Sequence, residues 1–282
     1  MSALFEVMKP ATKIPTVLLT RPAHQAEPVK TELEALGYRV LIQSAIDILP
    51  PDDWCETDDA LQNIRLGQFD WLIFSSSNGI HAFFDRVGER AAEWVEVWAD
   101  LQIAVAGGGT NSALYSRIGR YANVVPDTFT AEAVAQALSA EAAQGKRFLH
   151  LRASRGRDVL KRLLTESGGS VTEIAVYKSV DCPHADPQIL ELLRSGGIDY
   201  VTVTSSAIAG SLVKMFGDLL RRTSLVSISP LTSATLRSLG FSPQWEASEA
   251  SLAGIVAVLA NGKGERKHGD PSTAGAMSAR DD

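Results

Sequence analysis

The chain is written twice, and this repeat limits what it can fold into more than any other feature. Three blocks run in the order A, B, C and then recur. Block A is PTVLLTRPAHQAEPVKTELEALGYRVLIQSAIDI from residue 15, answered by KRFLHLRASRGRDVLKRLLTESGGSVTEIAVYKSV from residue 146. The offset is constant, so Arg21 falls on Arg152, Gly37 on Gly168 and Val40 on Val171. Block B is FDWLIFSSSNGIHAFFDRVG from residue 69, answered by IDYVTVTSSAIAGSLVKMFG from residue 198, with Ser76 on Ser205. Block C is LQIAVAGGGTNSALYSRIG from residue 101, answered by TSLVSISPLTSATLRSLG from residue 223, with Thr110 on Thr232.

The period identifies the blocks. Runs such as VLLT, WLIFS, IAVA, FLHL, YVTVT and VSIS are short and apolar, as strands buried on both faces are. Each leads through a small or polar loop into a helical stretch. In VKTELEALG, Val29, Leu33 and Leu36 recur at helical spacing, and Gly37 supplies the stop. Strict alternation of strand and helix predicts parallel sheets covered on both faces, hence two doubly wound α/β lobes of flavodoxin-like type.

In such sheets a ligand sits where the loops leave the carboxyl ends of the strands, facing helix N-termini. The loops concerned are TRPAHQ, SSSNG, AGGGT, RASRGR, TSSAI and SPLTS, and none carries a carboxylate. Hydroxyls, amides and guanidinium groups suit a ligand with several anionic arms. Arg21 and Arg152 each follow a strand directly, placed either to bind a carboxylate or to tie a loop carbonyl or helix end. Ser76, Ser77, Thr110, Ser205, Ser206 and Thr232 stand where a helix cap and a ligand contact are equally served. Lys161 and Arg162 read as the solvated face of a helix.

A net charge of −6 argues against a protein that wraps duplex nucleic acid, and no apolar run is long enough for a membrane span. Cys55 and Cys182 are far apart with no CxxC, which supports neither a zinc site nor a disulfide framework and suggests a reducing, cytoplasmic setting. The start MSALFEVMKPATKIP has no signal-peptide pattern. AVAGGGTNSAL invites a dinucleotide reading, but no acidic residue closes the next strand at the expected place. The polar segment from residue 263 to 282 lacks periodicity and is expected to be disordered, with a second tail over residues 1 to 15.

The ordered set of VLLTRP, DWLIFSSSNGIHAFF, Gly107 to Thr110 as G-x-x-T, VTEIAVYKSV, DYVTVTSSAIAGSL and VSISPLTSATLRSLG resembles uroporphyrinogen-III synthase. The family reads G-P-x-T where this chain has Ser229, Pro230, Leu231 and Thr232, so a glycine is lost at that loop. The resemblance implies a swapped internal duplication joined by two linking strands. Lobe 1 would hold residues 16 to 50 and 180 to 262, and lobe 2 residues 51 to 179, with AIDILPPDD and YKSVDCPHAD as the crossings. It implies cyclisation of hydroxymethylbilane to uroporphyrinogen III, with no metal or organic cofactor. A monomer is expected, with the upstream bilane-forming enzyme as a candidate partner. Ser76, Ser205 and Thr232 gain weight as substrate contacts, and Tyr177 in the VY pair becomes the candidate acid for the departing hydroxyl. A two-lobed anion-binding protein or sensor is the alternative reading.

Overall fold

A computed structural model describes residues 14–88 and 94–262. The expectations for the two tails fall largely outside these residues.

The chain builds two five-stranded sheets. In the first, β1 (Thr16–Leu19), β2 (Arg39–Ile42), β8 (Tyr200–Val203), β9 (Ser224–Ser227) and β10 (Trp245–Glu246) lie in the order β10-β9-β8-β1-β2, all parallel. In the second, β3 (Ile46–Leu49), β4 (Trp71–Phe74), β5 (Gln102–Val105), β6 (Arg147–Ala153) and β7 (Ser170–Asp181) lie in the order β3-β7-β6-β4-β5. There β3 alone runs antiparallel.

The repeat explains both orders. The succession C, B and the two strands of A is β9-β8-β1-β2 in one sheet and β5-β4-β6-β7 in the other. Block A of the first copy therefore completes the sheet of the second B and C, and the reverse holds for the other lobe. Even the edge is shared: β10 pairs with β9, and a single parallel bridge from Ala104 to Val124 marks the corresponding place beside β5. Where the copies differ, the crossing is made. In the second copy β7 continues unbroken for twelve residues, while in the first the chain leaves β2 and pairs Ile46 to Leu49 with Asp181 to Lys178.

The helices form for local reasons. In α3 (Ser77–Val87) the apolar residues Ile80, Phe83, Phe84 and Val87 fall on one stripe, and all four are buried against the second sheet. Its counterpart α10 (Ser206–Phe216) buries Ile208, Ala209, Leu212 and Phe216 in the first. Burying each of the larger side chains stabilises the lobe by roughly 1.5 to 3 kcal/mol. Both helices start on a serine cap and end at a left-handed glycine, Gly88 at φ 66° and Gly217 at φ 50°. The remaining layers include α1 (Ala23–Ala35), α5 (Gly108–Ile118), α8 (Val159–Glu166), α11 (Pro230–Ser238) and α12 (Leu252–Gly262). Among the described residues no helix is long and apolar enough to cross a membrane.

Candidate functional site

β4 ends at Phe74 and releases Ser75 and Ser76 before α3 begins. Ser76 has extended backbone, and its Oγ accepts from Gly79 N at 3.1 Å, which caps the helix. The same Oγ lies 2.9 Å from the Tyr177 hydroxyl. Capping and site contact are thus made by one atom. Tyr177 reaches this point because β7 shifts register against β6, where Arg152 pairs with Ala175 but Ala153 pairs with Tyr177. The ring is 7% exposed. Burial pushes its hydroxyl above the ordinary phenol value, against the opposing pull of Ser76 and Asn78, so at neutral pH it remains a proton donor.

Asn78 carries the site across to the other lobe. Its Oδ1 accepts from Gln25 Nε2 of α1 at 2.7 Å, and Gln25 Oε1 accepts from Arg21 Nη2 at 3.0 Å. Arg21, Gln25, Asn78, Ser76 and Tyr177 therefore form one polar chain from the first lobe to the second. Among the described residues Arg21 has no carboxylate partner, and burial pushes its guanidinium below the ordinary value. It keeps its charge and has nothing of opposite sign to spend it on. Gln25 and Asn78 lie in the loops TRPAHQ and SSSNG, but their pairing was not legible in the sequence, because a contact between lobes leaves no periodic signature.

Arg152, the counterpart of Arg21, has different partners. Arg152 Nη1 lies 3.1 Å from both oxygens of Glu173 and 3.1 Å from Asp158 Oδ1, and its side chain is 12% exposed. Gly156 lets the loop wrap the guanidinium, since a Cβ there would stand 2.8 Å from Arg152 Nη2. Its charge is already committed within the lobe. The repeat supplies the reason: Glu173 falls on Ile42, so the strand beside Arg21 offers no acid.

The other expected residues divide. Ser77 is half-buried in the first turn of α3, beside the chain just described. Ser205 caps α10 through Ile208 N at 3.1 Å. The Ser206 hydroxyl turns to Thr235 Oγ1 at 2.8 Å. Thr232 is 2% exposed, with its hydroxyl 3.2 Å from Ser229 Oγ. Thr110 is buried in the first turn of α5. For Ser206 what remains toward the cleft is backbone N–H at a helix start rather than a free hydroxyl, whereas the Thr232 N–H donates to Ser229 Oγ. The lost glycine costs nothing, because Ser229 sits at φ −162° and ψ 160° and uses its side chain to cap α11.

Asp181 ends β7 and draws groups from both lobes. It accepts from Arg155 Nη1 at 2.5 Å, from Ser211 Oγ at 2.5 Å and from Lys214 Nζ at 2.7 Å. Lys214, Ser211 and Arg155 hold its carboxyl well below the usual carboxylate range. No three His, Cys, Asp or Glu side chains are grouped as metal ligands among the described residues.

Comparison with known proteins bears on the family and the fold. Residues 27–257 match the family model described as uroporphyrinogen-III synthase HemD. The uroporphyrinogen-III synthase of Synechococcus elongatus is 30% identical over 254 residues, covering 86% of this chain and 94% of that protein. That of Chlorobaculum parvum is 26% identical over 228 residues, covering 80% and 89%. Among solved structures, a mutant uroporphyrinogen III synthase from the extremely thermophilic bacterium Thermus thermophilus superposes with a TM-score of 0.63 at 16% identity, covering 88% of this chain and 98% of that one. The Helicobacter pylori uroporphyrinogen-III synthetase gives a TM-score of 0.55 at 16% identity, covering 88% and 99%. At that identity the structures speak to the fold; with the family match spanning most of the sequence, the chain belongs to the uroporphyrinogen-III synthase family.

Proposed function

We propose that the chain cyclises hydroxymethylbilane, a linear tetrapyrrole with acetate and propionate arms, to uroporphyrinogen III with inversion of ring D and loss of water. The observation that carries this reading is the buried Tyr177 hydroxyl, held by Ser76 at 2.9 Å at the mouth between the lobes. Tyr177 gives its proton to the departing hydroxyl, which leaves as water and an azafulvene. The substituted carbon of ring D then attacks to form a spiro intermediate, which fragments and recloses through the other carbon. No electrons are exchanged with an outside acceptor, so the reaction asks for no redox cofactor.

The protein's work is positioning and charge stabilisation. Arg21 binds one carboxylate, oriented by Gln25. The N-termini of α3, α10 and α5 present backbone N–H groups to others, at Ser76 and Ser77, Ser205 and Ser206, and Thr110, while Thr232 closes the capped start of α11. Arg152 belongs to the supporting structure in this reading. The enzyme acts as a monomer in the cytoplasm on bilane from the upstream bilane-forming enzyme, a setting that suits its two free cysteines.

The test is to add hydroxymethylbilane to the purified protein and identify the cyclised isomer. Uroporphyrinogen III above the spontaneous type I background is the expected result. Type I alone, at the uncatalysed rate, overturns the reading. Tight binding of the bilane without turnover would favour an anion-binding protein or sensor instead.

A further inference from the structure

Ser75, His150 and Glu173 form a hydrogen-bonded row with no part in the steps above. It crosses three neighbouring strands. Ser75 follows β4, His150 lies on β6 opposite Ile73, and Glu173 lies on β7 opposite His150. Ser75 Oγ stands 2.5 Å from His150 Nε2, His150 Nδ1 stands 2.9 Å from Glu173 Oε1, and Arg152 closes the row on Glu173. The imidazole is 4% exposed, whereas Ser75 is open at the mouth. His150 and Arg152 together hold the Glu173 carboxyl below its ordinary value. An ionised Glu173 accepts from Nδ1, which fixes the tautomer and leaves Nε2 to accept from the Ser75 hydroxyl.

The internal repeat shows that the fold does not require this row. At the matching positions of the first copy stand Leu19 and Ile42, paired in the same register as His150 and Glu173. One sheet is thus built with two apolar residues where the other places an imidazole and a carboxylate. Burying such groups is costly unless every partner is in place, so the second copy carries them for a reason other than packing. Ser75 and Ser76 are consecutive and serve different partners: Ser76 meets Tyr177, and Ser75 meets His150.

The cyclisation needs two proton transfers. One proton goes onto the leaving hydroxyl, and one comes off the ring D carbon that closes the macrocycle. We propose that Ser75, backed by His150 and Glu173, takes the carbon-bound proton in the closing step. This rests on the synthase reading above. The unsubstituted α-carbon of ring D attacks the azafulvene methylene of ring C and forms the last carbon–carbon bond. Its C–H bond then breaks, the electron pair returns to the ring, and the proton passes to Ser75 Oγ as the Ser75 proton moves to His150 Nε2. Glu173 faces the imidazolium so formed. Tyr177 regains through solvent the proton that His150 gives up, so the balance is one bilane to one macrocycle and one water. Glu173 and Arg152 are positioning residues in this scheme.

The experiment uses the full-length protein and a bilane deuterated at the free α-carbon of ring D. Ser75→Ala should lower kcat tenfold or more, with KM, thermal stability and product isomer kept, and show a normal deuterium isotope effect larger than the wild type's. Ser75→Thr, which keeps the hydroxyl, should recover most of the loss. His150→Gln, checked for a native thermal transition, should behave as Ser75→Ala does. Tyr177→Phe should be slow without an enlarged isotope effect, because its defect lies earlier. Wild-type kcat in Ser75→Ala, or a fall in rate with no change in isotope effect, overturns the proposal while leaving the synthase reading intact. If the wild type itself forms no uroporphyrinogen III, the synthase reading fails and takes this one with it.

Discussion

Arg21 and Arg152 occupy the same place in two copies of one motif, yet a single neighbouring residue gives them different work. Glu173 sits beside Arg152 where Ile42 sits beside Arg21. Arg21→Ala should therefore raise KM by an amount equivalent to ~1.5 to 3 kcal/mol, with little loss of stability. Added salt should weaken the wild type more than this variant. Arg152→Ala should instead lower thermal stability, because Glu173 loses one of the two groups that hold its carboxylate. For Tyr177→Phe, kcat should fall roughly tenfold or more with KM unchanged. A Phe variant with full kcat would remove Tyr177 from the mechanism. Sequence reading could place Arg21 and Ser76 at strand ends, because position along a repeat is linear information, whereas Tyr177, inside β7, was implied by the family resemblance. It missed His150 and Glu173, since FLHL reads as an apolar strand and their pairing depends on register between strands. The usable signal was there in the alternation of Phe148, His150 and Arg152 along one strand face.

Among the elements, the paired helix starts show how one backbone shape is reached from different residues. Ser229 caps α11 in extended backbone, and Gly107 stands at the matching start of α5 without a side-chain cap. Gly107 is there for space: a Cβ would come within 1.7 Å of Phe129. Ser229→Gly should thus cost only a few tenths of a kcal/mol and Ser229→Ala ~1 kcal/mol, as a lost cap does. Gly107→Ala should be more damaging than either, because Phe129 must leave its seat. Thermal denaturation of the three variants orders them. The family's glycine suggested from sequence alone that special backbone angles are needed here; the structure reduces the question to which neighbour packs on the residue.

Across the whole molecule, the lobes are tied at Asp181, where Lys214 and Ser211 of α10 meet Arg155 of the other lobe. Its carboxyl is held below the usual range. The stability it contributes is therefore complete above the unfolded-chain value of about 3.9 and is lost as pH falls through the lower folded value. Acid titration of stability should show a shallower limb in Asp181→Asn than in the wild type. We further expect residues 51 to 179 alone to unfold cooperatively, and residues 1 to 145, one full copy of the blocks, to lack such a transition as a monomer. The reverse result would mean that each copy folds in sequence order. The strand order follows from exchange of block A between the two halves, which is the geometry of a swapped dimer held in one polypeptide. An ancestor carrying a single A-B-C copy could have completed its sheet by lending its first block to a twin and borrowing the twin's in return. Gene fusion would then have turned a reciprocal loan between equals into a fixed asymmetry, in which one half holds Leu19 and Ile42 and the other His150 and Glu173.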